Sequence, residues 1–289
     1  MKIAAWNINS IRNKVDLVEA LLKKYNIDIL VITETKIQPK HESSIRNING
    51  YSVIWSSNQK SSYHGTAIFH KSDISILSLT TELENLNKLN MVRVDLKNNK
   101  LVSSHLNHIE QDTNLAHKTE GRIISVLCKR ENKTFVLVGT YCPNSGCDRK
   151  VPLKRLAYRT LRWDKDLYLY LLKLEKEYEN VIWVGDLNVT RLDCDMHKKN
   201  MNISGTTPEE RTNFNLFIDK NNWIDTFDYK NPLKTSIWER FTYGKESSCK
   251  LRLDYIMCTP SLKDNIVNSI ILQEVDGSDH VPVLAVFNL

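Results

Sequence analysis

Long apolar runs are missing from this chain of 289 residues: none approaches the ~18 residues needed to cross a bilayer, which excludes a membrane-spanning helix. Zinc-binding spacing is missing too. The six cysteines (Cys128, Cys142, Cys147, Cys194, Cys249, Cys258) form no CxxC pair, and no histidine stands at ligand spacing, so they read as reduced thiols in a cytosolic or nuclear setting. There is no glycine-rich phosphate loop, no GxSxG and no cysteine in a nucleophile motif. Nucleoside-triphosphate and acyl-transfer chemistry therefore lack support. Internal repeats, low-complexity tracts and linker-like stretches are absent, which predicts a single domain over 1–289. The opening MKIAAWNIN enters a strand pattern at once and leaves no room for a signal peptide, which predicts an intracellular protein, nuclear or cytoplasmic and not secreted.

What is present is a core-forming composition, 41% hydrophobic, with a net charge of +6. Positive charge clusters between 149 and 162, where Arg149, Lys150, Lys154, Arg155, Arg159 and Arg162 occur with no acid among them. Such a run is either a solvated helix face or an edge that contacts phosphates. Strand and helix patterns alternate along the chain. Residues 3–8, 28–33, 66–70, 74–79, 91–96, 100–106, 122–128, 134–141, 181–184, 252–258 and 281–287 read as strands, with 122–128 and 134–141 paired across a turn at 131–133. Helical spacing marks 14–25, 156–178 and 206–218. In the last of these Thr207 can cap, Pro208 takes the first helical position and Glu210 completes a capping box. Antiparallel pairs mixed with helices predict an α/β protein whose sheets are covered by helices.

Six of these strands carry acids, amides or imidazole at one end. Asn7 and Asn9 end AAWNIN, Glu34 and Lys36 end ILVITETK, Tyr141 and Asn144 end VLVGTYCPN, and Asp186 and Asn188 end VIWVGDLN. Asp254 lies near the start of RLDYIM, while Asp279 and His280 precede VPVLAVF. A single acid at a strand end is usually a turn former; six such places in one chain point to a site outside strand ends. Carboxylates with few histidines favour a hard cation such as Mg²⁺. Asp beside His offers a charge pair for a phosphorane-like state, and Asn offers neutral donors to phosphate oxygens. The residue types therefore suit phosphodiester hydrolysis.

The ordered motifs WNINSIR, ETK, YCPNSG, GDLNV, GTTPEER, RLDY and GSDHVPV resemble those of the exonuclease III class of apurinic/apyrimidinic (AP) endonucleases, within the endonuclease/exonuclease/phosphatase superfamily. GDLN and SDH mark only the superfamily; TPEER and RLDY point to the AP endonuclease class. The resemblance implies a four-layer α/β sandwich, two mixed β-sheets packed face to face and flanked by helices. It implies Glu34 as principal Mg²⁺ ligand, with Asp279 and Asn9 nearby and Mn²⁺ able to substitute. It implies His280 as the imidazole on the scissile phosphate, oriented by Asp254. Asp186 would activate the attacking water or protonate the leaving oxygen, and Asn7 would hold Asp186. Asn188, Asn144 and Tyr141 would position phosphate or nucleophile, with Lys36 near the metal and leaving group.

The resemblance further implies a monomer acting on double-stranded DNA that contains abasic sites. A pocket for the base-free sugar is expected from Phe241, Leu251 and Leu253, with Ile237 and Trp238 beside them. Arg12, Tyr63, Asn200 and Asn202 fit a DNA track, where phosphate contacts would set register without reading sequence. The implied activity is hydrolysis 5′ to an abasic site in base excision repair, with 3′-phosphodiesterase and 3′→5′ exonuclease activity possible on the same chemistry. A DNase I-like or retrotransposon-type nicking nuclease, and a non-catalytic DNA-binding protein, are the alternatives. The second would be expected to have lost at least one of Glu34, Asp186, Asn188, Asp254, Asp279 and His280, and none is lost.

Overall fold

A computed structural model describes residues 1–59, 62–81, 120–146, 153–198, 202–232, 239–245 and 247–289. The strands expected at 91–96 and 100–106 lie outside them, as do Asn200, Ile237, Trp238, Arg149 and Lys150.

Among the described residues, two six-stranded sheets face each other. The first has the order β11-β12-β1-β2-β4-β3: β1 is Lys2–Asn7, β2 Ile29–Thr33, β3 Tyr51–Ser56, β4 Thr66–Lys71, β11 Ile266–Ile271 and β12 Val283–Phe287. The second has the order β5-β6-β7-β8-β10-β9: β5 is Ser75–Thr80, β6 Ile123–Arg130, β7 Lys133–Tyr141, β8 Val181–Asp186, β9 Ile224–Asp225 and β10 Asp254–Cys258. Each sheet has a central parallel pair, β1/β2 and β7/β8, in otherwise antiparallel surroundings. Ile3, Val31 and Ile68 from one sheet and Ile124, Leu137 and Val184 from the other share one buried cluster between the sheets. Burying both faces explains why the central strands read as continuous apolar runs.

Helices cover the outer faces. Helix α1 (Val15–Tyr25) turns Val18, Leu21 and Leu22 onto the first sheet and ends at Asn26 in a left-handed cap. On the second sheet lie α2 (Leu156–Tyr158), a π-helical turn (Arg159–Trp163), α3 (Asp164–Tyr178) and α4 (Pro208–Asn221). The expected cap is present: Thr207 and Glu210 form a capping box with Pro208 at the start of α4. A short helix α5 (Thr226–Lys230) follows β9 and is capped by Asp225.

The sequence pattern missed β3, β9 and β11. Among the described residues all three are outer strands of their sheets with one neighbour each, and β3 and β11 are only partly buried, so their apolar signal is diluted. It also read 156–178 as one uniform helix, where a π turn interrupts it.

Candidate active site

The polar strand ends meet at one edge of the sandwich, and topology explains why some come at the end of a strand and others at the start. β1, β2, β7 and β8 run in parallel pairs and deliver Asn7, Glu34, Tyr141 and Asp186 at or just past their C-terminal ends. β10 and β12 run antiparallel to them, so their N-terminal ends reach the same edge with Asp254 and His280. Asp254 lies directly opposite Asp186 in the β8/β10 register. Gly185 is required beside it: at φ +140 its missing Cβ would come within 2.1 Å of the Thr140 carbonyl on β7.

Asn7 is the bridge. Its amide donates to Glu34 Oε1 at 3.0 Å and to Asp186 Oδ2 at 2.8 Å, tying together carboxylates from the two sheets. Tyr141 also donates to Glu34 Oε1, at 2.8 Å. Burial, reinforced by the Glu34 charge, pushes the Tyr141 phenol far above its usual pKa, so it stays a neutral donor. Asp186 accepts the Asn188 backbone N–H at 2.9 Å and its side-chain amide at 3.2 Å; Asn188 also donates to the Cys142 carbonyl at 2.9 Å. Asn188 achieves this from a left-handed conformation, φ +48. Burial and the neighbouring Asp254 charge raise the Asp186 pKa to about 7.

Asp254 Oδ2 accepts from His280 Nδ1 at 2.7 Å, and Trp6 Nε1 holds the His280 carbonyl at 3.0 Å. Burial works against charge on His280. The Asp254 charge and hydrogen bond, aided by Asp186 and Asp279, overcome it and raise the imidazole pKa to about 10. An imidazolium thus sits among buried carboxylates, with its Nδ1–H committed to Asp254.

Glu34 belongs to a more open neighbourhood. Its Oε2 lies 2.8 Å from Lys36 Nζ, which also bonds Asn9 Oδ1. Asn9 in turn donates to Asp279 Oδ1 at 3.1 Å. Burial favours a raised Glu34 pKa, but the hydrogen bonds from Asn7, Lys36 and Tyr141 win and hold it below its usual value. Asn9, Glu34, Lys36 and His64 all have positive φ, and the loops interlock through Ser10 N–H to the Glu34 carbonyl and Lys36 N–H to the His64 carbonyl, both 2.8 Å. Such local strain concentrates at functional sites.

Two groups could hold a cation. Asp186, Asp254 and His280 offer ligand atoms within 4.8 Å of one another, and Asp254 Oδ1 is buried with no hydrogen-bond partner among the described residues. A protonated His280 paired through Nδ1 to Asp254 is a poor ligand, however. Glu34, Asn9 and Asp279 form an all-oxygen set suited to a hard cation, and the Lys36 ammonium already rests on two of them.

The other expected contacts are distributed more widely. Asn144 accepts from Arg155 Nη2, and Arg12 donates to the Lys36 carbonyl at 2.8 Å. Tyr63 is 67% exposed beside His64, and Asn202 is exposed. Phe241, Leu251 and Leu253 are nearly fully buried, and the last two cluster with Met196; Tyr243 bridges Leu251 to His280. The basic run divides: Lys154 is exposed, Arg155 turns to Asn144, Arg162 pairs loosely with Asp166 and Arg159 is buried. Sequence reasoning overlooked His64, whose ring lies 6.0 Å from that of Tyr141, and Thr242, whose hydroxyl accepts the Asp254 N–H at 3.0 Å. Thr242 stands at no apolar strand end that would have marked it, whereas His64 lies two residues before β4, a placement like that of His280 before β12.

The profile of the endonuclease/exonuclease/phosphatase family matches residues 4–280. A DNA-(apurinic or apyrimidinic site) endonuclease of Dictyostelium discoideum is 30% identical over 296 residues, covering all of this chain and 71% of that relative. An exodeoxyribonuclease of Bacillus subtilis is 29% identical over 297 residues, covering all of both chains. The crystal structure of an AP endonuclease from Leishmania major superimposes with a TM-score of 0.77 at 23% identity, over 99% of this chain and 87% of that one; it is a likeness of fold.

Proposed function

For a chain that belongs to the endonuclease/exonuclease/phosphatase family, we propose Mg²⁺-dependent AP endonuclease activity in DNA repair: hydrolysis of the phosphodiester 5′ to an abasic site in duplex DNA, leaving a 3′-hydroxyl and a 5′-deoxyribose phosphate. The observation that carries it is the meeting of Asp186, with its pKa near neutrality, and a charged His280 in one buried cluster that Asn7 ties to Glu34. The Dictyostelium relative supports the substrate, and the Bacillus relative supports exodeoxyribonuclease activity at the same site.

In this reading His280 donates to a non-bridging oxygen of the scissile phosphate, and Asp254 keeps the imidazole charged and oriented. Asp186 accepts a proton from water as the water oxygen attacks phosphorus in line, and the P–O3′ bond breaks, the departing O3′ taking a proton from solvent. Asn188 fixes the Asp186 carboxylate, and Tyr141 supplies a neutral donor from the Glu34 side. Mg²⁺ held by Glu34, with Asp279 and Asn9 beside it, would stabilise charge on the phosphate and leaving oxygen. Abasic sites are favoured because a missing base has no pairing to lose when the sugar is turned out of the stack.

Product analysis on a duplex labelled at both ends and carrying one abasic analogue, with and without Mg²⁺, tests the proposal. The expected result is Mg²⁺-dependent incision 5′ to the analogue. A preference over intact duplex below about tenfold, or ~1.4 kcal/mol, would instead identify a general nuclease.

A further inference from the structure

Arg159 lies in the basic run that pointed toward DNA, yet it is only 2% exposed. Its guanidinium directs three donors inward: Nε to Asp164 Oδ1 at 2.7 Å, Nη1 to the Pro143 carbonyl at 2.7 Å and Nη2 to the Leu187 carbonyl at 2.8 Å. Those carbonyls are not arbitrary. Pro143 immediately precedes Asn144, and Leu187 stands between Asp186 and Asn188. The regular ladder between β7 and β8 ends at the Tyr141–Asp186 pair. The Cys142 N–H still reaches the Asp186 carbonyl at 2.9 Å, and the Asn188 amide reaches the Cys142 carbonyl. Past that point Arg159 bonds to both segments at once.

The π turn makes this possible. In it the Asp164 N–H reaches back five residues to the Arg159 carbonyl, and Arg159, Trp163 and Asp164 are all buried. The acid that balances the guanidinium therefore comes from the same helical segment and is itself steadied by Asn213 of α4 at 3.4 Å. Single π turns within helices recur at functional sites.

We infer that Arg159 is a positioning residue: it sets the spacing between the loop bearing Asn144 and the loop bearing Asp186 and Asn188 without touching substrate. Only a planar fork with several N–H groups can serve a carboxylate and two carbonyls in different directions; an ammonium on a flexible stem cannot. The inference rests on the hydrolytic reading above.

Two variants test it. Arg159→Lys keeps a charge beside Asp164 but removes the fork. The double variant Arg159→Met with Asp164→Leu removes both charges and keeps the interior filled, a replacement that buried ion pairs often tolerate. Each is compared with wild type on an abasic duplex and on an intact duplex with a recessed 3′ end. The expected result is a kcat lowered about a hundredfold, the scale of an ångström-sized misplacement. KM should stay within about threefold, and the pH profile of the remaining rate should keep its wild-type inflections. A cooperatively folding variant with kcat within about twofold of wild type, or a change in KM alone, overturns the inference. Loss of cooperative unfolding in both variants also overturns it, by making Arg159 a residue of folding alone. If wild type cleaves only the intact duplex, the abasic-site reading fails while Arg159 is still judged on that substrate.

Discussion

The half of the site built by β8, β10 and the segment before β12 differs from the half built after β1 and β2. In the first, Asp186, Asn188, Asp254 and His280 are at most 9% exposed and hold one another or the backbone directly. In the second, the Glu34 and Lys36 side chains are 20% and 28% exposed, Asp279 is exposed, and oxygens of Glu34 and Asn9 share the Lys36 ammonium. The consequence is electrostatic. Removal from water magnifies charge interactions, so Asp186 and His280 move far from their ordinary pKa values, while at Glu34 the hydrogen bonds from Asn7, Lys36 and Tyr141 outweigh burial and hold the pKa below its usual value. The dry half is suited to proton transfer and charge stabilisation; the open half is suited to an exchangeable cation.

The largest expected effect breaks the dry half. Asp186→Asn preserves shape and should lower kcat by about 10³ or more with the circular dichroism spectrum retained, since positioned acid–base groups contribute on that scale. A loss below about tenfold would remove proton transfer from this half. Next comes the open half: Glu34→Gln should cost about 10–100-fold at low Mg²⁺ and recover in part as Mg²⁺ is raised, read from the half-saturating concentration. An unchanged Mg²⁺ dependence would assign the ion to the buried acids instead.

A pH series sharpens the contrast. Because the Asp186 pKa is raised to about 7, its carboxylate form grows as pH rises through that value, so kcat/KM should rise with it if Asp186 takes a proton from water. Asn7→Ala removes a hydrogen bond that favours the Asp186 carboxylate and should move that inflection to higher pH. A rate that instead falls through the same range identifies Asp186 as the acid for the leaving group. The smallest effect lies outside both halves: Tyr63→Ala, at a side chain 67% exposed, should raise KM a few-fold and leave unfolding free energy within about 0.5 kcal/mol.

Much of this cluster was legible because most of its polar residues sit where an apolar strand starts or stops. VIWVGDLN displays both the buried strand and the polar pair that ends it, and the capping box at Thr207 and Glu210 is written in adjacent residues. Arg159 shows the limit. In sequence it is one of six basic residues between 149 and 162, and only its environment separates it from exposed Lys154. The outer strands β3 and β11 were illegible for a related reason, since half-buried positions relax the demand for apolar residues.

The sequence by itself determined the alternation of strands and helices, the cap of α4 and the chemical identity of the polar strand ends, because these follow from local periodicity and hydrogen-bonding capacity. Tertiary structure alone decided which ends meet. Parallel pairing of β1 with β2 and of β7 with β8, and antiparallel return of β10 and β12, bring Asn7, Glu34, Asp186, Asp254 and His280 to one edge. Burial there, which no stretch of sequence specifies, separates the charges of Asp186 and His280 from water and so sets their protonation.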